Sequence, residues 1–355
     1  MDKFKIDSHK LIYHVERVND WLKGNAVYPI YLEIAPSGGC NHRCTFCALD
    51  FLEYRPIFLD TALLKEQLCE MAGLGIKSIM YAGEGEPLLH KDIADIINYT
   101  KRLGIDVALT TNGVLLKKEL INKMLGSTSW IKVSINGATR DRYAKIHNAN
   151  ADDFDKVMEN LSYAVGVKRA KKYECALGMQ LLLLDENAGE VVLLAKKAKA
   201  LGMDYLVVKP YSHHPFSKTS KYKNISYSKY LYLTDELNAL NDEKFNIVFR
   251  VKTMKKWDEA ERNYRHCYAL PFWSYIDAGG NIWGCSAYLG DGSFIYGNIY
   301  KNSFKKIWNG PRRKKIANMA GNKLDANRCR VNCRMDEINR YLWELRHPPE
   351  HVNFI

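Results

Sequence analysis

Three cysteines crowd into eight positions of the stretch SGGCNHRCTFCALD: Cys40, Cys44 and Cys47, with three residues in the first gap and two in the second. The loop is glycine-rich and follows an apolar run, YPIYLEIAP, so it reads as the connection leaving a strand, where α/β sheets commonly bind ligands. Three thiolates on so short a loop can turn toward one cubic iron–sulfur cluster, whereas tetrahedral zinc needs a fourth ligand at comparable range. His42 is the nearest candidate for that ligand, but it is enclosed within the first cysteine gap, where reaching the same ion would strain the loop. The other reading leaves the fourth corner of a cluster open to a small molecule.

Four more cysteines, Cys267, Cys285, Cys329 and Cys333, lie toward the other end of the chain at gaps of 17, 43 and 3 residues. Their number suits one further four-ligand site, and their spacing alone leaves zinc and an iron–sulfur cluster both open. Cys69 falls in a helical pattern and Cys175 opens a strand, so both read as buried, inert thiols. The amino-terminal residues MDKFKIDSHKLIYHVERVND lack the apolar core of a secretory leader, and the longest apolar run is LLLL at 181–184. A cytoplasmic protein with no membrane partner is expected, its cysteines reduced and used for metal or catalysis.

Elements that could position these residues alternate between residues 28 and 210. Six strands are predicted, YPIYLEIAP (28–36), SIMYAGE (78–84), DVALTTNG (106–113), WIKVSING (130–137), ECALGMQLLLL (174–184) and DYLVVKP (204–210). The segments between most of them carry apolar residues at helical spacing: Leu63, Leu64, Leu68 and Met71, then Ile93, Ile96 and Ile97, then Val191, Leu194, Ala195 and Ala198. Gly75, Gly104 and Gly202 read as the caps that end these helices. Such repeats build either a partial (β/α) barrel or a doubly wound sheet. The expected organisation is a helical lead-in over 1–27, an α/β domain over 28–215, a connector over 216–264 with one helix near 228–240 and one strand at 245–253, and a small domain over 265–355. That last region opens on a hairpin, FWSYIDAGGNIWGC, turning at Gly279 and Gly280, and continues with a helix from Ser303.

Taken with these elements, the C-x3-C-x2-C spacing, with aromatic Phe46 before the last cysteine, resembles the hallmark of the radical S-adenosylmethionine superfamily. The resemblance implies a partial (β/α)6 barrel, a [4Fe–4S] cluster on Cys40, Cys44 and Cys47, and S-adenosylmethionine chelating the open iron. YAGEGEPLLH resembles the family's Gly-Gly-Glu-Pro stretch, with Gly85, Glu86 and Pro87 matching and Glu84 replacing the first glycine; Glu86 would lie near the cofactor's ammonium. TTNG and SING resemble the polar ends of the third and fourth strands, which makes Asn112, Ser134 and Asn136 candidates for cofactor or substrate contacts. The Thr111-Asn112-Gly113 run also reads as an ordinary turn. Gln180, polar inside an apolar strand, must be hydrogen-bonded, and a bound cofactor is a candidate partner. The hairpin CYALPFWSYIDAGGNIWGC resembles that of the superfamily's auxiliary-cluster modules, the twitch domain and the longer SPASM domain. It implies a small α+β domain with a second [4Fe–4S] cluster on Cys267, Cys285, Cys329 and Cys333, although CRVNC is one residue wider than a common closing pair.

The implied chemistry is hydrogen abstraction by a 5′-deoxyadenosyl radical, with the auxiliary cluster accepting an electron as the substrate is oxidised, similar to aminocyclitol dehydrogenases. Such an oxidation requires a base, for which Lys209, His213 and His214 in VVKPYSHHP are candidates. With 39 residues ahead of Cys40, a small polyhydroxylated or phosphorylated metabolite is the expected substrate, with peptide modification second. A third reading is a non-catalytic, zinc-stabilised nucleic-acid-binding protein. Net charge is +12, which suits docking of an acidic flavodoxin or ferredoxin electron donor; nucleic acid is not the expected partner. The basic run at 301–315 reads as a solvated face.

Overall fold

Each of the six predicted strands is present, trimmed at its ends, in a computed structural model that describes residues 4–354. They are β1 (Tyr31–Ile34), β2 (Ser78–Tyr81), β3 (Asp106–Thr111), β4 (Trp130–Ser134), β5 (Ala176–Leu182) and β6 (Tyr205–Lys209). A seventh, β7 (Asn246–Phe249), is followed by β8 (Trp273–Ile276), β9 (Asn281–Trp283) and β10 (Ile295–Asn298). All ten form one sheet in the order β10-β9-β8-β1-β2-β3-β4-β5-β6-β7. From β1 to β7 neighbours in sequence are neighbours in space and every pair is parallel. A doubly wound sheet reverses its strand order at a switch point; this one never does, so successive right-handed crossovers curl it into a partial barrel.

The strand at 245–253 is shorter than expected and ends where a helix, Val251–Glu259, begins. Rather than standing apart in a connector, it pairs with β6 from Tyr205↔Asn246 to Val208↔Phe249 and extends the barrel sheet. The hairpin forms as expected, β8 antiparallel to β9, with Gly280 at φ +80° in its turn. β8 also pairs in parallel with β1, Tyr31↔Trp273 through Ile34↔Ile276, so the small domain covers the edge that β1 would otherwise leave open. Its helix Phe304–Trp308 is capped by Ser303 and docks on the first barrel helix, Thr61–Gly73. There the Phe304 N–H donates to Gln67 Oε1 (2.8 Å) and Trp308 Nε1–H donates to Val27 O (2.8 Å). Burying the Phe304 and Trp308 rings contributes roughly 1.5–3 kcal/mol each to this docking.

Alternation along the strands sorts the residues. One face, including Leu32, Ile34, Ile79, Tyr81, Val107, Leu109, Ile131, Val133, Leu177, Met179 and Val208, is buried beneath the crossover helices. The other face carries Glu33, Thr110, Lys132, Gln180 and Lys209, all lining the barrel interior. A parallel strand buried on both faces is normally apolar throughout, so these polar residues mark a cavity rather than a core. The three glycines expected to end helices, Gly75, Gly104 and Gly202, all lie at positive φ. Cys175 is buried as expected, its sulfur 3.1 Å from Thr128 Oγ1, but Cys69 is exposed on its helix, because it falls on the side turned away from Leu64, Leu68 and Met71. In the basic run, Lys301, Lys305, Lys306, Arg312, Lys314 and Lys315 are exposed while Arg313 is buried over the Trp308 ring. Among the described residues no helix is long and apolar enough to cross a membrane.

Candidate functional site

The loop after β1 is held from several sides. Gly38 N–H donates to Ile57 O (2.9 Å), Thr45 N–H to Ile146 O (2.9 Å) and Cys47 N–H to Cys44 O (3.0 Å). Arg43 caps the turn by donating to Cys40 O (2.6 Å) and lies over the Tyr54 ring. Burial pushes the Cys40 thiol up to about 11 and the Cys44 thiol well above its usual range, and the negative charge of Cys47 raises each further; burial raises Cys47 as well. Three thiols so near one another resist ionising together unless positive charge lies among them. The donor set therefore fits a polynuclear iron site, whose formation deprotonates its ligands.

Behind the loop stands the stretch after β2. Gly85 packs so closely that a Cβ there would lie 1.9 Å from Gly39 O, and Glu86 N–H donates to the same oxygen (2.8 Å), so only glycine fits at position 85. The Glu86 carboxylate is buried and accepts from Thr111 Oγ1 (2.6 Å), the Asn112 N–H (2.8 Å) and the Leu88 N–H (3.1 Å). It braces the ends of β2 and β3 against each other. Asn112 Nδ2 in turn donates to Asn41 Oδ1 (2.7 Å) in the cysteine loop, and Asn112 Oδ1 accepts from Val114 N–H, the turn that its sequence suggested. Glu84, the departure from the family pattern, points toward the hairpin, where burial and nearby Asp277 push its carboxyl up to about 8.

His147, at the end of helix Arg140–His147, joins three of the expected site residues and was not singled out in the sequence. Its Nδ1 lies 3.5 Å from Cys44 Sγ, Phe46 meets its ring edge-on at 5.7 Å, and Tyr143 stacks on it at 4.1 Å. Its Nε2 accepts the Asn136 N–H (3.1 Å), which fixes the tautomer: the ring proton sits on Nδ1 and is donated toward the sulfur. Asn136 is spent within the chain, its Oδ1 accepting from Leu182 N–H (2.6 Å) and its carbonyl from Asn187 Nδ2 (3.0 Å). His42 is buried beside Asp153 (3.3 Å), with His147 and Cys44 near enough that the three could face one ion.

The second set of cysteines converges as their number suggested. Cys267, Cys285, Cys329 and Cys333 all line one apolar cavity of about 20 Å³, walled by Tyr264, Trp273, Tyr288 and Phe294. Each sulfur meets one donor. Asn339 Nδ2 lies 3.5 Å from Cys267, Ala287 N 3.4 Å from Cys285, Tyr288 OH 3.2 Å from Cys329 and Met335 N 3.4 Å from Cys333. Four thiols around one cavity fit a four-ligand cluster site, and Cys333 lines that cavity with the others despite the extra residue in CRVNC.

Between the two sets the barrel encloses a cavity of about 710 Å³. Ala48 and Leu49 bring the first cysteine loop to its wall, and Cys333 and Met335 bring the second. Of the residues expected to act, Gln180 and Lys209 line it, and Ser134 pairs in register with Gln180. His213 and His214 do not. His214 is buried and stacked on Phe51 (4.6 Å), where burial and Arg330 push it down to about 4, while His213 packs near Tyr211. The strand carrying Lys209 ends there, and the chain turns both histidines behind the mouth rather than into it. The charged cavity residues missed from the sequence include Glu33, Lys132, Arg250, Arg330 and Arg334. Glu33 and Lys132 had a signal, a charge at an inward position of a parallel strand; the arginines had none, Arg250 following β7 and Arg330 and Arg334 coming from the Cys329–Arg334 stretch.

Residues 34–208 match the family model of the radical SAM superfamily, and residues 267–334 match that of SPASM, an iron-sulfur cluster-binding domain. The GTP 3',8-cyclase of Chlorobaculum tepidum is 27% identical over 194 residues, 54% of this chain and 57% of that protein. A probable GTP 3',8-cyclase of Saccharolobus solfataricus is 35% identical over 142 residues, 38% of this chain and 44% of that one. The chain spans about half the length of the curated relatives it matches. Among solved structures, Streptococcus suis SuiB bound to S-adenosylmethionine is similar at a TM-score of 0.64 and 20% identity, covering 86% of this chain and 72% of that one. Another, anSMEcpe with bound AdoMet, reaches 0.60 at 20% identity, covering 82% and 80%. At these identities the likeness to both structures is one of fold.

Proposed function

Because the chain belongs to the radical S-adenosylmethionine superfamily and carries a SPASM domain, with S-adenosylmethionine and two iron–sulfur clusters as cofactors, we propose that it oxidises a small polar metabolite held in the barrel cavity. Cys40, Cys44 and Cys47 would hold the first cluster, and Cys267, Cys285, Cys329 and Cys333 the second. When bound, these groups supply a 5′-deoxyadenosyl radical to abstract hydrogen and a one-electron sink for the oxidation. The observation that carries the proposal is the shared wall: Cys333 and Met335 line both the four-thiol cavity and the barrel cavity. The chain's own part is to orient the substrate among Gln180, Thr110 and the inward charges, and to keep water out with the Tyr275 and Tyr205 rings. Anaerobic purification with iron and sulfide quantified, followed by a 5′-deoxyadenosine assay, tests this. About eight irons per chain and cleavage of S-adenosylmethionine support it; zinc in place of iron overturns it.

A peptide substrate is the second reading, since solved structures of similar fold include SuiB bound to its precursor peptide SuiA and anSMEcpe with a bound peptide. The cavity volume falls within the roughly 300–1,000 Å³ of small-ligand sites, which favours a metabolite over an extended chain.

His147 acts as a positioning residue. A hydrogen bond donated to a ligand sulfur stabilises the more negative, reduced cluster and raises its potential. His147→Phe, which keeps the ring stacked on Tyr143, is therefore expected to make the first cluster harder to reduce, and His147→Gln, which retains a donor, to restore it in part. Redox titration followed by electron paramagnetic resonance reads the shift; equal potentials in all three proteins would remove the role. The charge of +12 supports an acidic flavodoxin or ferredoxin as electron donor. Its rate of reducing the protein should fall severalfold as salt rises from low to physiological strength, and a salt-insensitive rate would count against such docking.

A further inference from the structure

We infer that the barrel cavity contains an anion subsite built by Lys132, Lys209 and Arg330, and that the substrate carries a phosphate or carboxylate there. The inference rests on the proposal above for what the bound molecule undergoes. Lys132 comes from β4, Lys209 from the end of β6 and Arg330 from the loop between Cys329 and Cys333, and all three line the cavity. Of the remaining cavity cations, Lys5 and Lys10 are exposed to solvent and three others are matched. Arg334 pairs with Glu33, Arg250 with Asp7 (2.9 Å), and Lys256 with Asp336 (2.6 Å) and Glu337. Among the described residues no carboxylate lies within ion-pair distance of Lys132, Lys209 or Arg330, and Arg330 Nε is buried with no hydrogen-bond partner.

Unmatched, half-buried cations that share one cavity repel and are incompletely solvated. The chain nevertheless fixes them in place. Asn332 Nδ2 donates to Tyr211 O (3.2 Å) and Ser212 Oγ donates to Asn332 O (3.4 Å), tying the Arg330 loop to the end of β6. Gly178 lies beside Lys132 in register, and its missing side chain lets the Tyr205 ring close over it, while the Lys132 ammonium lies over the Trp130 ring (5.2 Å) on the cavity wall. The strain is visible in both lysines. Burial, then Arg334 and Arg250, hold Lys132 down to about 8 despite Glu33; burial, then Lys132, Arg250, Arg334 and Arg330, hold Lys209 well below its usual range. An arriving anion opposes this: it raises both lysines again and favours the charged form of Lys209. Binding should therefore take up protons, and weaken as pH rises above the range where the free lysines have already lost theirs. Lys209 thereby takes a binding role instead of the base role its position in the sequence suggested.

Two sources offer such an anion, the substrate and the carboxylate of S-adenosylmethionine. The test uses the full-length protein with both clusters reconstituted anaerobically and saturated with S-adenosylmethionine. It is titrated calorimetrically with pyrophosphate, and in parallel with malonate to separate phosphate from carboxylate, in two buffers of different ionisation heat. The expected result is binding of one probe without displacement of S-adenosylmethionine, with net proton uptake. Lys209→Gln and Arg330→Gln should each weaken it at least about tenfold, 1.4 kcal/mol, and Lys209→Gln should lose part of the uptake. Removing an unmatched cation should leave the melting temperature equal or higher, for Lys209→Gln and for Lys132→Met alike. Four results overturn the subsite: neither probe binding, a probe that displaces S-adenosylmethionine, equal affinity in the variants, or both lysine variants melting lower. The iron–sulfur spectrum of the same wild-type sample keeps the two proposals apart. Missing clusters defeat the oxidation reading, whereas intact clusters without anion binding defeat the subsite alone.

Discussion

Cys44→Ala is expected to reduce cleavage of S-adenosylmethionine by at least about a thousandfold, or some 4 kcal/mol of barrier, and to lower iron from about eight to about four per chain. Cys44 is the most enclosed of the three first-loop thiols in chemical terms: its sulfur faces His147, its neighbours' charges fall on it, and Thr45 beside it is pinned to Ile146 O. Alanine keeps the loop's backbone bonds, which run through main-chain N–H groups, so the fold of the barrel should survive while the donor set drops to two. Iron and sulfide analysis with a 5′-deoxyadenosine assay measures both effects. Retention of the first cluster's reduced spectrum in this variant would mean that another side chain, His42 or His147, ligates it.

Cys333→Ala is expected to act on stability as much as on chemistry. Its sulfur would be one of four that draw together positions 267, 285, 329 and 333, which line one cavity and belong to segments otherwise joined by few regular elements. Metal binding in such a site is folding free energy, so losing the second cluster should lower the melting temperature by on the order of 10 °C and remove about four irons. Hydrogen exchange should quicken across residues 265–346 while β2 to β6, buried beneath their helices, keep their protection. An unchanged iron content would show that Cys333 stands beside the cluster without holding it. Uniform loss of protection across the sheet would instead show that the β1–β8 pairing makes the two domains one cooperative unit.

Much of the site was legible because its signals are local. The x3 and x2 spacing of the first cysteines, Gly85-Glu86-Pro87, the cap glycines and the hairpin each depend on a few consecutive residues and on backbone rules that act over a turn. Other expectations failed at longer range. His213 and His214 were expected near the barrel mouth because they follow β6, but the direction in which a chain leaves a strand depends on what receives it, here Phe51 and Phe216. Cys69 was expected buried because free cysteines usually are, but its helix turns it to the side away from Leu64, Leu68 and Met71.

What spacing and pattern offered unaided was ligand number and element type: three thiols close together, four more toward the other end, and strand-helix repeats to carry them, since ligand number and periodicity are properties of the chain alone. The kind of cluster came from the family resemblance. Which groups meet was decided by folding. His147 reaches Cys44, a residue 103 positions away, and Arg330 comes to line one cavity with Lys132 and Lys209 because the sheet curls and the small domain docks on β1. Such encounters depend on packing between elements distant in sequence, and no short stretch of residues encodes them.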